Sequence, residues 1–170
     1  MLKKLLLAVM VAAPMCLFAE VKIGTVDTQE VFTLMPELKT AQASLVEVNK
    51  KYQTEYKALQ EEFNKKYQEF QQAIAKDSLP PNIAERRQKE LQDMMQRQEQ
   101  FQQDAQQQMQ KAQNDAMAPI YQKLDNAIKA VGAAEGVIYI FDLARTSIPY
   151  VNESQSINLT SKVKANLGIK

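Results

Sequence analysis

Few residues in this chain could make or break bonds. Its 170 residues include no histidine and one cysteine, Cys16, so the commonest general acid or base is missing, and most nucleophilic and metal-site constellations cannot be assembled. Carboxylate-only chemistry is what remains, yet the acidic residues are spread through helical repeats and do not gather at strand ends. No Gly-rich phosphate loop occurs among the four glycines. These features argue against an enzyme, and the sequence assigns no catalytic, cofactor-binding or metal-ligating residue.

Side chains suited to non-covalent contact are plentiful. Tyr52, Tyr56, Phe63, Tyr67, Phe70, Met94, Met95, Phe101 and Met109 all fall between Glu37 and Ala118. Aromatic rings supply large contact areas, and methionine adapts to irregular partners. The elements that position them follow from the same stretch. It has no glycine, its only prolines are Pro80 and Pro81, and Gln, Glu, Lys and Ala dominate it, which favours two long helices on either side of one break.

In the first helix the apolar and aromatic positions form a ladder of Leu38, Ala41, Leu45, Val48, Tyr52, Tyr56, Leu59, Phe63, Tyr67, Phe70 and Ile74. The mean step is the plain helical period of ~3.6, not the 3.5 of a strict heptad, which predicts a rather straight helix. About 40 residues at ~1.5 Å each would reach roughly 60 Å. Asp77 to Pro81 is the break, and Asn82 with Glu85 has capping-box spacing. The returning ladder, Leu91, Met94, Gln98, Phe101, Ala105, Met109, Ala112, Ala116 and Ile120, is thinner. Any one of these ladder residues is first of all helix-to-helix packing. Met95 and Tyr56 are the ones expected to be spare, because Met94 and Tyr52 already fill neighbouring rungs. Pairs such as Glu47 with Lys51, Glu61 with Lys65, Glu62 with Lys66, Glu85 with Lys89 and Asp93 with Arg97 mark the solvated faces.

The ends of the chain read differently. Met1-Leu2-Lys3-Lys4, the apolar run Leu5 to Phe18 and Ala19-Glu20 have the layout of a secretory signal peptide cleaved after Ala19, too short to span a bilayer. A lipid attachment at Cys16 is disfavoured by the bulky Met15 before it. Cleavage leaves 19 basic against 20 acidic residues, a formal charge of −1. That balance argues against nucleic acid and against a membrane surface, both of which reward a basic face.

Val21 to Val26 reads as a strand, Asp27-Thr28 as a helix N-cap, and Pro36 as the first turn of the long helix. Pro119 should kink or restart the returning helix, which Gly132 to Gly136 ends. Val137 to Asp142, apolar on both faces, has the signature of a buried central strand, with Ile148 to Asn152 pairing to it across a loop. Asn158 can cap a last helix that stops at Gly168. Residues 20–36 and 119–170 thus form one small α+β body, interrupted by the 37–118 helical hairpin whose tip lies at 77–82. A body of 69 residues buries too little to anchor helices of that length, so self-association through the strands is expected.

Val21-Lys22-Ile23-Gly24-Thr25-Val26-Asp27, Gln29-Glu30-Val31-Phe32 and Pro36-Glu37-Leu38-Lys39 resemble the opening of the Skp/OmpH family of periplasmic chaperones. Gly136-Val137-Ile138 through Asp142, Ile157-Asn158-Leu159-Thr160 and Leu167-Gly168-Ile169 resemble its close. The resemblance implies a homotrimer whose strands, including Val21, Ile23, Val137, Ile138, Tyr139, Ile140 and Phe141, build a small β-barrel body carrying antiparallel coiled-coil hairpins. It further implies a periplasmic holdase for unfolded outer-membrane proteins, working without ATP or any other nucleotide. The nine aromatic and methionine side chains named above would then be its client contacts, many and weak. Familiar members are strongly basic, whereas residues 37–118 here carry 12 basic and 13 acidic side chains, so a lipopolysaccharide site is not carried over. At the tip Lys76, Arg86, Arg87 and Lys89 are answered by Asp77, Glu85 and Glu90. An envelope spacer or adaptor binding a folded partner is the competing reading of the same hairpin.

Overall fold

The computed structural model describes residues 21–77 and 79–169. The signal-peptide reading of residues 1–19 lies outside them. Strand β1 (Ile23–Val26) is followed by helices α1 (Thr28–Leu34), α2 (Pro36–Ala75) and α3 (Pro81–Glu135), strands β2 (Tyr139–Asp142) and β3 (Ser156–Asn158), and helix α4 (Thr160–Leu167). The chain is therefore mostly helical, with one small sheet.

Local chemistry explains most of the boundaries. Asp27 caps α1 by accepting the Glu30 amide at 2.9 Å. Pro36 occupies the first turn of α2, where its missing N–H costs nothing. Helix α2 closes on Asp77 in the left-handed region at φ 49°, a conformation that aspartate tolerates better than most residues. The expected capping box at Asn82 and Glu85 does not form. The helix starts one residue earlier, at Pro81, with Pro80 as its cap and no side-chain cap bond. The paired prolines explain this, because Pro81 presets the helical φ and leaves one orphan amide fewer to cap.

Pro119 does not restart the second helix either. Helix α3 runs through it for 55 residues to Gly136, which caps it at φ 65°. Both flanks are held by packing: Ala116 and Ile120 belong to the apolar stripe, and Leu124, Ala127 and Val131 are buried beyond them. One missing amide is tolerated when both sides are clamped in this way. Gly132 is likewise not a stop. It is buried inside the helix, where a Cβ would lie 2.7 Å from Ile140 Cδ1.

The sheet corrects the expected strand pairing. Its order is β2-β1-β3 and both pairings are parallel, with Ile23 opposite Tyr139 and Ser156. The central strand is β1, and β2 lies at an edge. Residues 148–152 form no strand. Pro149 has no N–H to give a ladder, and Asn152 turns the chain by accepting the Ser154 amide on its side chain and the Gln155 and Ser156 amides on its carbonyl.

One core joins the sheet to the helices: Val26, Val31, Met35, Ala41, Ile120, Leu124, Ala127, Val131, Leu159 and Val163. It covers the sheet face bearing Gly24 and Ile140. A Cβ on Gly24 would meet Leu159 Cδ1 at 2.7 Å, so the glycine is what lets α4 approach the strand.

Candidate functional site

Two regions hold the residues singled out by sequence, the long helix pair and the open face of the sheet. In the helix pair, contacts run in opposite order along the two helices: Glu37 meets Lys123, Tyr56 meets Gln102, Leu59 meets Gln98 and Lys66 meets Glu90. The ladder residues line this seam. Tyr52, Tyr56, Phe63, Phe70, Met94, Phe101 and Met109 are half-buried, whereas Tyr67 and Met95 stay 46% and 58% exposed.

Phe101 is the centre of the seam, with Tyr52 and Tyr56 at ring-centroid distances of 6.1 and 6.4 Å. Tyr56, expected to be spare, therefore packs, and its hydroxyl also accepts Gln102 Nε2 at 2.5 Å. Phe63 stacks on Tyr67 at 6.1 Å within one helix. Gln98 sits on the expected ladder, and its amide donates across the seam to the Leu59 carbonyl at 3.0 Å. Glutamine thus joins the two helices while keeping the seam wettable.

Charge does little to mark a site here. None of the five expected i,i+4 pairs is among the ion pairs of the described residues. Lys66 instead crosses to Glu90 at 2.9 Å. That hydrogen bond raises the Lys66 pKa and lowers that of Glu90, with Arg86 and Arg87 adding to the latter. At the other end of the pair Lys123 reaches Glu37 and holds its carboxyl below the ordinary range. Among the described residues no group of His, Cys, Asp and Glu could hold a metal ion, and no helix is long and apolar enough to cross a membrane.

Among the described residues no helix covers the sheet's other face. Val21, Ile138, Tyr139 and Phe141 are exposed there and along the free edge, Tyr139 by 63% and Phe141 by 43%, while Ile23, Val137 and Ile140 are half-buried. The apolar run at 137–142 thus has one face on the core and one open, where a fully buried strand was expected. Residues 143–155 cross this open face and enclose a groove of about 320 Å³, lined by Ile23, Thr25, Phe141, Thr146, Ile148 and Tyr150 among others. Sequence reasoning placed Ile148 to Asn152 in a pairing strand and assigned the loop residues no part in a binding surface. Their signal was an Ile-Pro-Tyr-Val run with no helical period.

Asp142 fixes the end of β2. The Thr28 hydroxyl donates to its Oδ2 at 2.5 Å, the Thr28 and Ala144 amides to its Oδ1 at 3.3 and 3.0 Å, and Arg145 Nε lies 3.7 Å from Oδ2. Burial pushes the Asp142 carboxyl up, but these donors together outweigh it and hold the group below the usual carboxylate range. A lowered folded-state pKa stabilises the fold above the unfolded value and is lost as pH falls through the folded one. Asp142→Asn is accordingly expected to lose about 1 to 2 kcal/mol at neutral pH. The gap from the wild type should close below about pH 4, as measured by urea unfolding across pH.

A family model described as "Outer membrane protein (OmpH-like)" matches residues 22–167. Among solved structures the fold is similar to that of a Caulobacter crescentus protein titled as a candidate outer membrane chaperone (OmpH-like), with a TM-score of 0.72, 16% identity, and coverage of 86% of this chain and 83% of the other. No curated protein sequence matches. The match spans the long helix pair and all three strands, and the chain belongs to the OmpH-like outer membrane protein family.

Proposed function

We propose that the protein is an ATP-independent periplasmic holdase that keeps unfolded outer-membrane proteins soluble before membrane insertion. In this reading three copies join through their sheets into a barrel-like body, and three antiparallel coiled-coil hairpins enclose the client. The observation that carries it is the pairing of a very long, softly packed helix pair with a small sheet whose apolar face is left open. Membership of the OmpH-like family supports it, as does the chaperone title of the Caulobacter crescentus protein. The near-neutral helix pair favours contact through apolar and aromatic side chains over charge, and no lipopolysaccharide site is proposed.

Client contact falls to side chains that the seam does not consume. Tyr67 and Met95 are the most exposed of the nine candidates, so their loss tests contact without loosening the helix pair. Tyr67→Ser with Met95→Ser is expected to require several-fold more protein to suppress aggregation of a denatured β-barrel client, with helix content and melting unchanged. A wild-type protein that leaves aggregation untouched, and captures a specific folded partner instead, would overturn the holdase reading in favour of a spacer.

A further inference from the structure

The crossing at 143–155 has little to hold it. It leaves the end of β2, passes over the helix-free face and turns at Asn152 into β3, on the far side of β1. Its first residues are fixed by Leu143 N–H to the Val26 carbonyl at 2.8 Å and Thr146 N–H to the Asp142 carbonyl at 3.0 Å, and its last by the Asn152 turn. No hydrogen bond ties residues 147–151 down among the described residues.

One side chain links this crossing to the helices. The Arg145 guanidinium lies 5.3 Å from the ring centroid of Tyr121 on α3. Tyr121 in turn stacks on Phe32 of α1, with centroids 4.8 Å apart and planes 11° from parallel. Arg145 also faces Asp142 at 3.7 Å. Arginine suits such a place, because its planar cation can lie on an aromatic face while meeting a carboxylate. Tyr121 is 41% exposed, so this stack adds little to the buried core. It is built at the point where the sheet end, the crossing and the long helix meet.

We propose that Arg145 is a positioning residue: pinned between Tyr121 and Asp142, it holds the 143–155 crossing in the shape that makes the groove, and so sets how strongly the body takes up a second copy. The assembly half of this rests on the reading that the open sheet face is the contact between copies. The groove has the character of such a contact. It is apolar, it reaches Phe141 on the edge strand β2, and its rim residue Tyr150 is 77% exposed, a large ring with no aromatic partner among the described residues.

The test uses the full chain and the variants Arg145→Gln, Arg145→Lys, Tyr121→Leu and the Arg145→Gln/Tyr121→Leu double. Hydrogen exchange of the amides at 146–156 reads the crossing, and a sedimentation dilution series reads association. Arg145→Gln is expected to speed exchange through the crossing and to weaken association about tenfold, without changing exchange in the core helices. Tyr121→Leu should do the same, the double variant should be no worse than either single, and lysine should restore only part of the effect. Unchanged exchange at 146–156 in Arg145→Gln, or effects of the two positions that simply add, would overturn the pin. A wild-type chain that stays monomeric at all concentrations would instead overturn the copy-contact reading and the assembly half with it, while the exchange result still decides the pin.

Discussion

Leu159→Ala is expected to remove about 2 to 5 kcal/mol from the body, enough to leave a domain of this size near the edge of folding. Leu159 is fully buried. Its side chain fills the space over Gly24, and its N–H donates to the Thr25 carbonyl at 2.8 Å. Among the described residues ten form the buried core cluster, and the apolar side chains packed around it, Ile140 and Ile157 among them, are held on short strands that limit collapse into the void. Gly24→Ala should also destabilise, because its methyl would stand 2.7 Å from Leu159 Cδ1. Combining the two is the informative case. The added methyl occupies room the leucine vacates, so the double variant should be more stable than Leu159→Ala alone. Urea unfolding with hydrogen exchange read at the strand amides of 23–26 and 139–142 separates this from the signal of the long helices, which carry four of the six tyrosines. Additive losses would show that the two side chains do not share the space.

The second large effect is expected in the seam. Phe101→Ala should cost about 2 to 3 kcal/mol, less than for a fully enclosed phenylalanine because the ring is only half-buried. It strips Tyr52 and Tyr56 of their common partner and leaves the Gln102 bond to Tyr56 as the nearest crossing contact. Met95→Ala, six residues away and 58% exposed, serves as the control and should change stability by less than about 0.5 kcal/mol. Amide exchange should rise at 52–59 and 98–105 in Phe101→Ala and stay at wild-type levels near the Glu37 to Lys123 clasp. Uniform acceleration along both helices would mean that the pair opens as one unit.

Why some of this was readable in the sequence, and some not, comes down to the range of the interaction. The ladder from Leu38 to Ile74 and its return from Leu91 to Ile120 are local periodicities, and nearly all of those positions face the seam. Asp27, Pro36, Gly136 and Gly168 act through their own backbone neighbours and fell where their chemistry required. Strand partners depend on residues far apart. An apolar run followed by a loop and a second short run resembles a hairpin, and nothing near Ile148 says that Ser156–Asn158 will pair instead, parallel, with β1. Pro119 is the same lesson in reverse. Its local helix-breaking tendency is real, but packing on both flanks outweighs it. The ion pairs were missed because i,i+4 spacing permits a pair, whereas Lys66 has a carboxylate within reach on the facing helix. Of the candidate site, the seam residues were legible. The groove was not, since it exists only once the crossing has been laid over the sheet.

The position of β1 in the centre of the sheet also bears on how the chain comes together. Ile23 pairs with Tyr139 and Ser156, partners separated from it by well over half the chain. The helix pair closes through a turn of a few residues and grows outward by short loops, which cost little entropy. The sheet must wait for nearly the whole polypeptide, since its pairings are all non-local and non-local pairings form slowly. The first strand to emerge is therefore the last to find its neighbours. During that interval Val21, Ile23 and Val26 have no cover of their own, so the chain passes through a stage that exposes the same apolar edge its folded sheet later pairs.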